Sequence, residues 1–194
     1  MTAPELGYPA HELLEAAVGY ALQAVAGTAP ELMTQPTPCR GWDLGMLLRH
    51  GTESLAALAE GITSGQLSMV PQPEDGQAAC HPAAAFRARA AALLRACDGA
   101  GRPHVIAIAG RCLTRDAVAG AGALEIAMHG WDISRACGRR EPIPVPLAGM
   151  LLELSPVLVP CADRAPLFAA PVAIDATAGD SDRLAAFLGR DPAA

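Results

Sequence analysis

A chain of 194 residues with 52% hydrophobic side chains has the length of one domain and is far too apolar for a disordered segment. Its formal net charge of −6 repels phosphate backbones at long range, and its 14 basic residues are scattered arginines, so nucleic acid is not an expected partner. No run approaches the ~18 consecutive apolar residues of a membrane span, and Met1-Thr-Ala-Pro-Glu-Leu-Gly7 has neither the basic nor the apolar region of a secretory signal. The expectation is a cytoplasmic protein with no membrane partner.

Aromatic residues are only 4% of the chain, so the core must come from Ala, Leu, Val and Ile, which suits close helix packing. A first helix is predicted over Ala10–Ala26, where Leu13, Leu14, Val18, Leu22 and Val25 recur at three- and four-residue steps before Gly27. A Pro-rich loop follows from Thr28 to Arg40. Asp43 is the expected N-cap of a second helix running to about Gly61, with Leu44, Leu47, Leu48, Leu55 and Leu58 facing inward. Thr63 to His81, broken by Pro71 and Pro73, reads as a loop, and Pro82 opens an Ala-rich third helix to Cys97.

The β-branched run from His104 to Ala109 is a candidate strand-like connector, too short for its periodicity to decide. A fourth helix is expected over about Thr114–Cys137 with Gly138 as its cap, and a shorter fifth over Val145–Val159. The tail is Pro- and Asp-rich until a last helical turn or two at Asp182–Leu188. These elements predict a single domain over residues 1–194: an all-α four-helix bundle with a short extra helix and an extended C-terminal tail over about 163–194.

Six cysteines (Cys39, Cys80, Cys97, Cys112, Cys137 and Cys161) form no CxxC pair and no zinc-finger spacing. Without an export signal, reduced thiols packed as small hydrophobes are the default. Cys39, in the Pro-rich loop before the second helix, is open to a reactive role as well as a packing one.

Chemistry concentrates in Glu125-Ile-Ala-Met-His129-Gly-Trp131-Asp132. Residues i and i+4 share a helix face, so Glu125 and His129 point together, and a carboxylate with an imidazole suits Zn²⁺ and similar ions. Asp132 lies close to that face, where it would orient the His129 ring. The same spacing also describes an ordinary solvated pair. His50 sits mid-helix in an otherwise apolar or small run; it is either a hydrogen-bonded core residue or a third ligand supplied by a facing helix. Arg40 and Arg135 are candidates for binding an acidic substrate, or are solvated surface residues. Trp42 and Trp131 read as anchors near helix ends, each with an indole N–H in need of an acceptor.

The stretch Thr37-Pro-Cys-Arg-Gly-Trp-Asp43, leading into a helix that reaches Leu-Leu-Arg-His50, resembles the second-helix signature of the mycothiol-dependent maleylpyruvate isomerase family, within the DinB-like superfamily. Glu125-x-x-x-His129-Gly-Trp-Asp-Ile resembles that family's second signature. The tail, with Leu167-Phe168, Pro171-Val172 and Asp182 to Asp191-Pro, resembles a short metal-binding branch. The resemblance implies a DinB-like bundle with His50, Glu125 and His129 holding one divalent metal, zinc first and nickel, iron or manganese as alternatives. It also implies mycothiol as cosubstrate, with transfer or isomerisation on a small-molecule substrate.

The isomerase itself is longer, with a C-terminal domain that contributes to catalysis, so the resemblance does not extend to maleylpyruvate as substrate. A hydrolase acting through metal-activated water, and a non-catalytic metal- or ligand-binding protein on the same scaffold, are the alternative functions. A homodimer is a candidate assembly.

Overall fold

A computed structural model describes residues 9–68, 81–99, 101–160, 164 and 168–193. Cys80, Cys161, Leu167, the prolines at 71 and 73 and the first eight residues fall outside them, as do the readings made on those positions.

The apolar stripe of the first segment becomes α1 (Ala10–Ala26), which buries Leu13, Leu14, Ala17, Val18, Ala21, Ala24 and Val25 at helical spacing. α2 (Leu44–Ser64) starts where Asp43 accepts a hydrogen bond from the Met46 N–H at 2.7 Å. It passes Gly61, the stop expected from the sequence, and ends at Gly65 in the left-handed conformation, φ +75°. Gly61 instead admits a neighbour: a Cβ there would already touch Leu67 and Ile106 at 3.4 Å. α3 (Pro82–Cys97) opens on its proline as predicted.

β1 (Gln66–Leu67) pairs in parallel with β2 (Val105–Ile108), and β2 pairs antiparallel with β3 (Arg111–Thr114). The connector over 104–109 is therefore a strand, and its partner β3 is an element the sequence reading did not contain. Ala109 and Gly110 both take positive φ, +47° and +78°, as a two-residue hairpin of the I′ type needs. Ala in the first of those places is an uncommon occupant, which is why the turn was not evident from the residues.

α4 (Arg115–Ala136) is capped by Thr114, whose hydroxyl accepts from the Ala117 N–H at 3.2 Å. It is buried on nearly every side over its C-terminal two thirds, packing against α1 most extensively and against α2. Close approach follows from small residues: a Cβ on Gly130 would lie 3.0 Å from the Ala21 backbone, and one on Gly122 would lie 2.7 Å from Leu58. α2 also packs on α3, and α1 on α3, closing the four-helix ring. α5 (Val145–Leu158) and α6 (Asp180–Phe187) form a satellite pair. α6 is longer than the turn or two expected, and Leu184, Ala185 and Leu188 join the main core. The fold is thus all-α, DinB-like in arrangement, with a small sheet where α2 ends and α4 begins. No helix among the described residues is long and apolar enough to cross a membrane.

Candidate metal centre

The contacts between α2 and α4 run antiparallel in step: His50 faces Glu125 and His129, Ser54 faces Glu125, and Leu58 faces Gly122. That register brings the two histidines and the carboxylate to one place, in the half of the bundle away from the sheet. His50 Nε2 lies 3.2 Å from Glu125 Oε1, and the candidate ligand atoms of His50, Glu125 and His129 all lie within 4.8 Å of one another. The two imidazole rings stand at 89° with centroids 5.1 Å apart.

The loop before α2 supplies the roof. Thr37 Oγ1 donates to the Trp42 carbonyl at 3.0 Å and accepts from the Cys39 N–H at 3.2 Å, while Gly41 turns at φ +82°. This winds the loop tightly, so that the Trp42 ring meets His50 edge-on at 4.9 Å and lies over His129 at 6.5 Å.

Behind the three candidate ligands is a supporting set. The Ser54 hydroxyl donates to Glu125 Oε1 at 2.5 Å. Asp132, fully buried, places Oδ2 3.3 Å from His129 Nδ1. The same oxygen accepts from the Cys39 thiol at 3.1 Å and from Arg190 Nη2 at 3.0 Å, and Arg190 Nε approaches Oδ1 at 3.4 Å.

The electrostatics follow from these contacts. Burial pushes Glu125 up, but hydrogen bonds from His50 and Ser54 and the nearby imidazoles outweigh it and hold the carboxyl below its ordinary range. Burial likewise opposes ionisation of Asp132, and the His129 hydrogen bond with the Arg190 charge overcomes it. For Cys39, burial first and the Asp132 charge second push the thiol up to about 12.

An ionised Asp132 accepts a hydrogen bond from the His129 Nδ1–H, leaving Nε2 as the nitrogen free to coordinate. Two imidazoles and a carboxylate are a donor set suited to zinc and similar divalent ions. The 3.2 Å between His50 and Glu125 is close to the ~3.3 Å that separates two tetrahedral ligands with bonds of ~2.0–2.1 Å. The side chains of His50 and Glu125 are 37% and 40% exposed against 12% for His129, so the open side of the site is theirs. Cys39, His129 and Asp132 form a second cluster within 4.8 Å. There the carboxylate already faces a guanidinium and the thiol keeps its proton, so that group supports the first one.

The structure therefore brings His50, Glu125, His129 and Asp132 together. Neither of the two arginines named from sequence hydrogen-bonds or ion-pairs with these four residues. Arg40 is exposed in the loop, and Arg135, turned about 120° round α4 from His129, stacks its guanidinium 4.5 Å over Trp131. Trp131 is buried as expected of an anchor, yet its indole N–H has no hydrogen-bond partner among the described residues. Two supporting residues went unassigned in the sequence reading. Ser54 had a signal, one helical turn beyond His50 on the same face. Arg190 had none, lying 58 residues beyond Asp132 in the tail.

A family model described as the mycothiol maleylpyruvate isomerase N-terminal domain matches residues 14–134. The match spans more than half of the chain and takes in His50, Glu125, His129 and Asp132, but not Arg190. Searches of curated proteins and of solved structures returned no match.

Proposed function

The chain belongs to the mycothiol maleylpyruvate isomerase N-terminal domain family of the DinB-like superfamily, and from that premise we propose that it is a metal-dependent, thiol-using transferase or isomerase acting on a small molecule. One divalent metal is held by His50, Glu125 and His129, with zinc as first choice and nickel, iron or manganese as alternatives. The observation that carries this reading is the convergence of three donor side chains from two helices, one of them backed by a buried carboxylate and the other two facing solvent. A closed structural site is usually ligated by four protein groups, whereas a site for chemistry keeps a position open.

A cation held there supplies the positive charge that lowers the pKa of a thiol brought to it, mycothiol being the cosubstrate the family suggests. The chain's own residues set the conditions. Ser54 holds Glu125 Oε1, the oxygen that faces His50 Nε2, Asp132 keeps the proton on His129 Nδ1, and Trp42 walls the site on the loop side. Cys39 gives its hydrogen bond to Asp132 and is not the reacting thiol. We place the protein in the cytoplasm, where cysteines stay reduced.

The test is metal analysis of wild type beside His50→Ala and Glu125→Ala, followed by assay of mycothiol consumption with a panel of small electrophiles. Close to one metal per wild-type chain, lost in both variants, with metal-dependent thiol consumption, is the expected result. A wild type that takes up no metal after reconstitution overturns the site, and a loaded protein that consumes no thiol overturns the activity.

A further inference from the structure

The C-terminal segment enters the site through one residue. α6 is docked by Leu184, Ala185 and Leu188 in the core and by the Ser181 hydroxyl, which accepts from the Ile143 N–H at 2.9 Å. Arg164, buried, ties the same segment down, donating to the carbonyls of Ala169 and Phe187. The chain then turns at Gly189, φ +84°, where a Cβ would collide with the Ala169 backbone at 2.9 Å. Only glycine fits that turn, and it sends Arg190 back toward α4.

Arg190 is fully engaged on arrival. Nη1 donates to the Leu188 carbonyl at 3.0 Å, Nε and Nη2 reach the two oxygens of Asp132 at 3.4 and 3.0 Å, and Nη2 lies 3.5 Å from the Cys39 sulfur. Its side chain is 12% exposed and that of Asp132 is 0% exposed. A guanidinium gripping both carboxylate oxygens fixes the plane of the carboxyl group, which a single donor does not. The oxygen it holds through Nη2 is the one that faces His129 Nδ1.

We propose that Arg190 is the positioning residue of the metal centre: through its paired hydrogen bonds it locks Asp132 in the orientation that keeps the proton on His129 Nδ1 and Nε2 turned toward His50 and Glu125. The segment beyond the family match thereby completes a site whose ligands all lie within it. The inference rests on the functional reading only for its metal arm; the state of the His129 ring is measurable without any ion.

The experiment uses full-length wild type, Arg190→Ala, Arg190→Lys, Asp132→Asn and the Arg190→Ala/Asp132→Asn double variant. Two quantities are read: the His129 tautomer from imidazole ¹⁵N shifts in metal-free protein, and zinc affinity by chelator competition. The wild type should show a single Nδ1–H tautomer. Arg190→Ala should show mixed tautomers and bind zinc roughly 10–100-fold more weakly, the range for loss of a group supporting a ligand. Arg190→Lys, which keeps the charge but not the fork, should recover only part of the affinity. The double variant should be no worse than Asp132→Asn alone, because the arginine acts through that carboxylate.

A folded Arg190→Ala with the wild-type tautomer and zinc affinity within about twofold of wild type would overturn the proposal, as would full recovery in the lysine variant. Should Arg190→Ala fail to fold, the lysine variant carries the same two readouts. Should wild type bind no zinc, the functional reading falls while the tautomer comparison still decides the role of Arg190.

Discussion

Cys39 lies beside the site but should be chemically inert, and its alkylation rate tests the electrostatics built around Asp132. Burial and the neighbouring carboxylate push its thiol up to about 12. At pH 8 such a thiol is ionised in about one molecule in 10⁴, against about one in four for a free cysteine near 8.5. The thiolate is the species that reacts, so native Cys39 should alkylate roughly 10³-fold more slowly than the same residue in the urea-unfolded chain. The assay is a timed iodoacetamide pulse at pH 8, read at the Cys39 peptide by mass spectrometry in native and unfolded protein. Asp132→Asn removes one of the two causes and leaves burial, so its native rate should rise without reaching the unfolded rate. A native wild-type rate within about tenfold of the unfolded one would refute the reasoning and restore Cys39 as a candidate nucleophile.

The same shift has a consequence for stability. A thiol that ionises less readily when folded stabilises the protein fully below about pH 8.5, and this contribution is lost as pH rises toward about 12. Urea unfolding of wild type and Cys39→Ala should therefore show a stability difference that shifts against wild type between pH 7.5 and 10. Ser54→Ala leaves Glu125 without its hydroxyl donor, and chelator competition should show zinc binding weakened roughly tenfold with an unchanged far-UV CD spectrum. Zinc should perturb Trp42 fluorescence, because that ring meets His50 edge-on and lies over His129, and Trp42→Phe should remove most of the response, leaving the signal of Trp131, which points to the other side of α4 from His129. Phe86, 1% exposed and packed against Gly51 of α2, should cost about 3–5 kcal/mol on replacement by Ala, or about 6–20 °C in Tm by thermal denaturation.

Much of the bundle was legible because its signals are local. α1 and α3 have the predicted limits, since Gly27 and Pro82 mark their ends and their apolar stripes are regular. α2 overran its predicted end because a mid-helix glycine is ambiguous: Gly61 makes room for Leu67 and Ile106, and the true stop is the left-handed Gly65. The hairpin was half visible. Val105–Ile108 has β-branched residues, but Arg-Cys-Leu-Thr has little strand character of its own and is held by pairing with β2.

The site divides in the same way. Glu125, His129 and Asp132 sit on one helix, where spacing alone gives adjacency, and His50 followed from the resemblance of the helix that carries it. Which arginine would matter was not legible by proximity in sequence. Arg135 is near the motif in number but turned about 120° away from His129, and it stacks on Trp131. Arg190 is remote in number yet touches Asp132, because the docking of α6 and the turn at Gly189 determine where it falls. A buried Asp132 with no cation beside it would be costly, so its burial demanded a partner from somewhere in the chain. The signal for Arg190 was therefore the burial of Asp132, a property of the folded packing that the spacing of charges along the sequence does not contain.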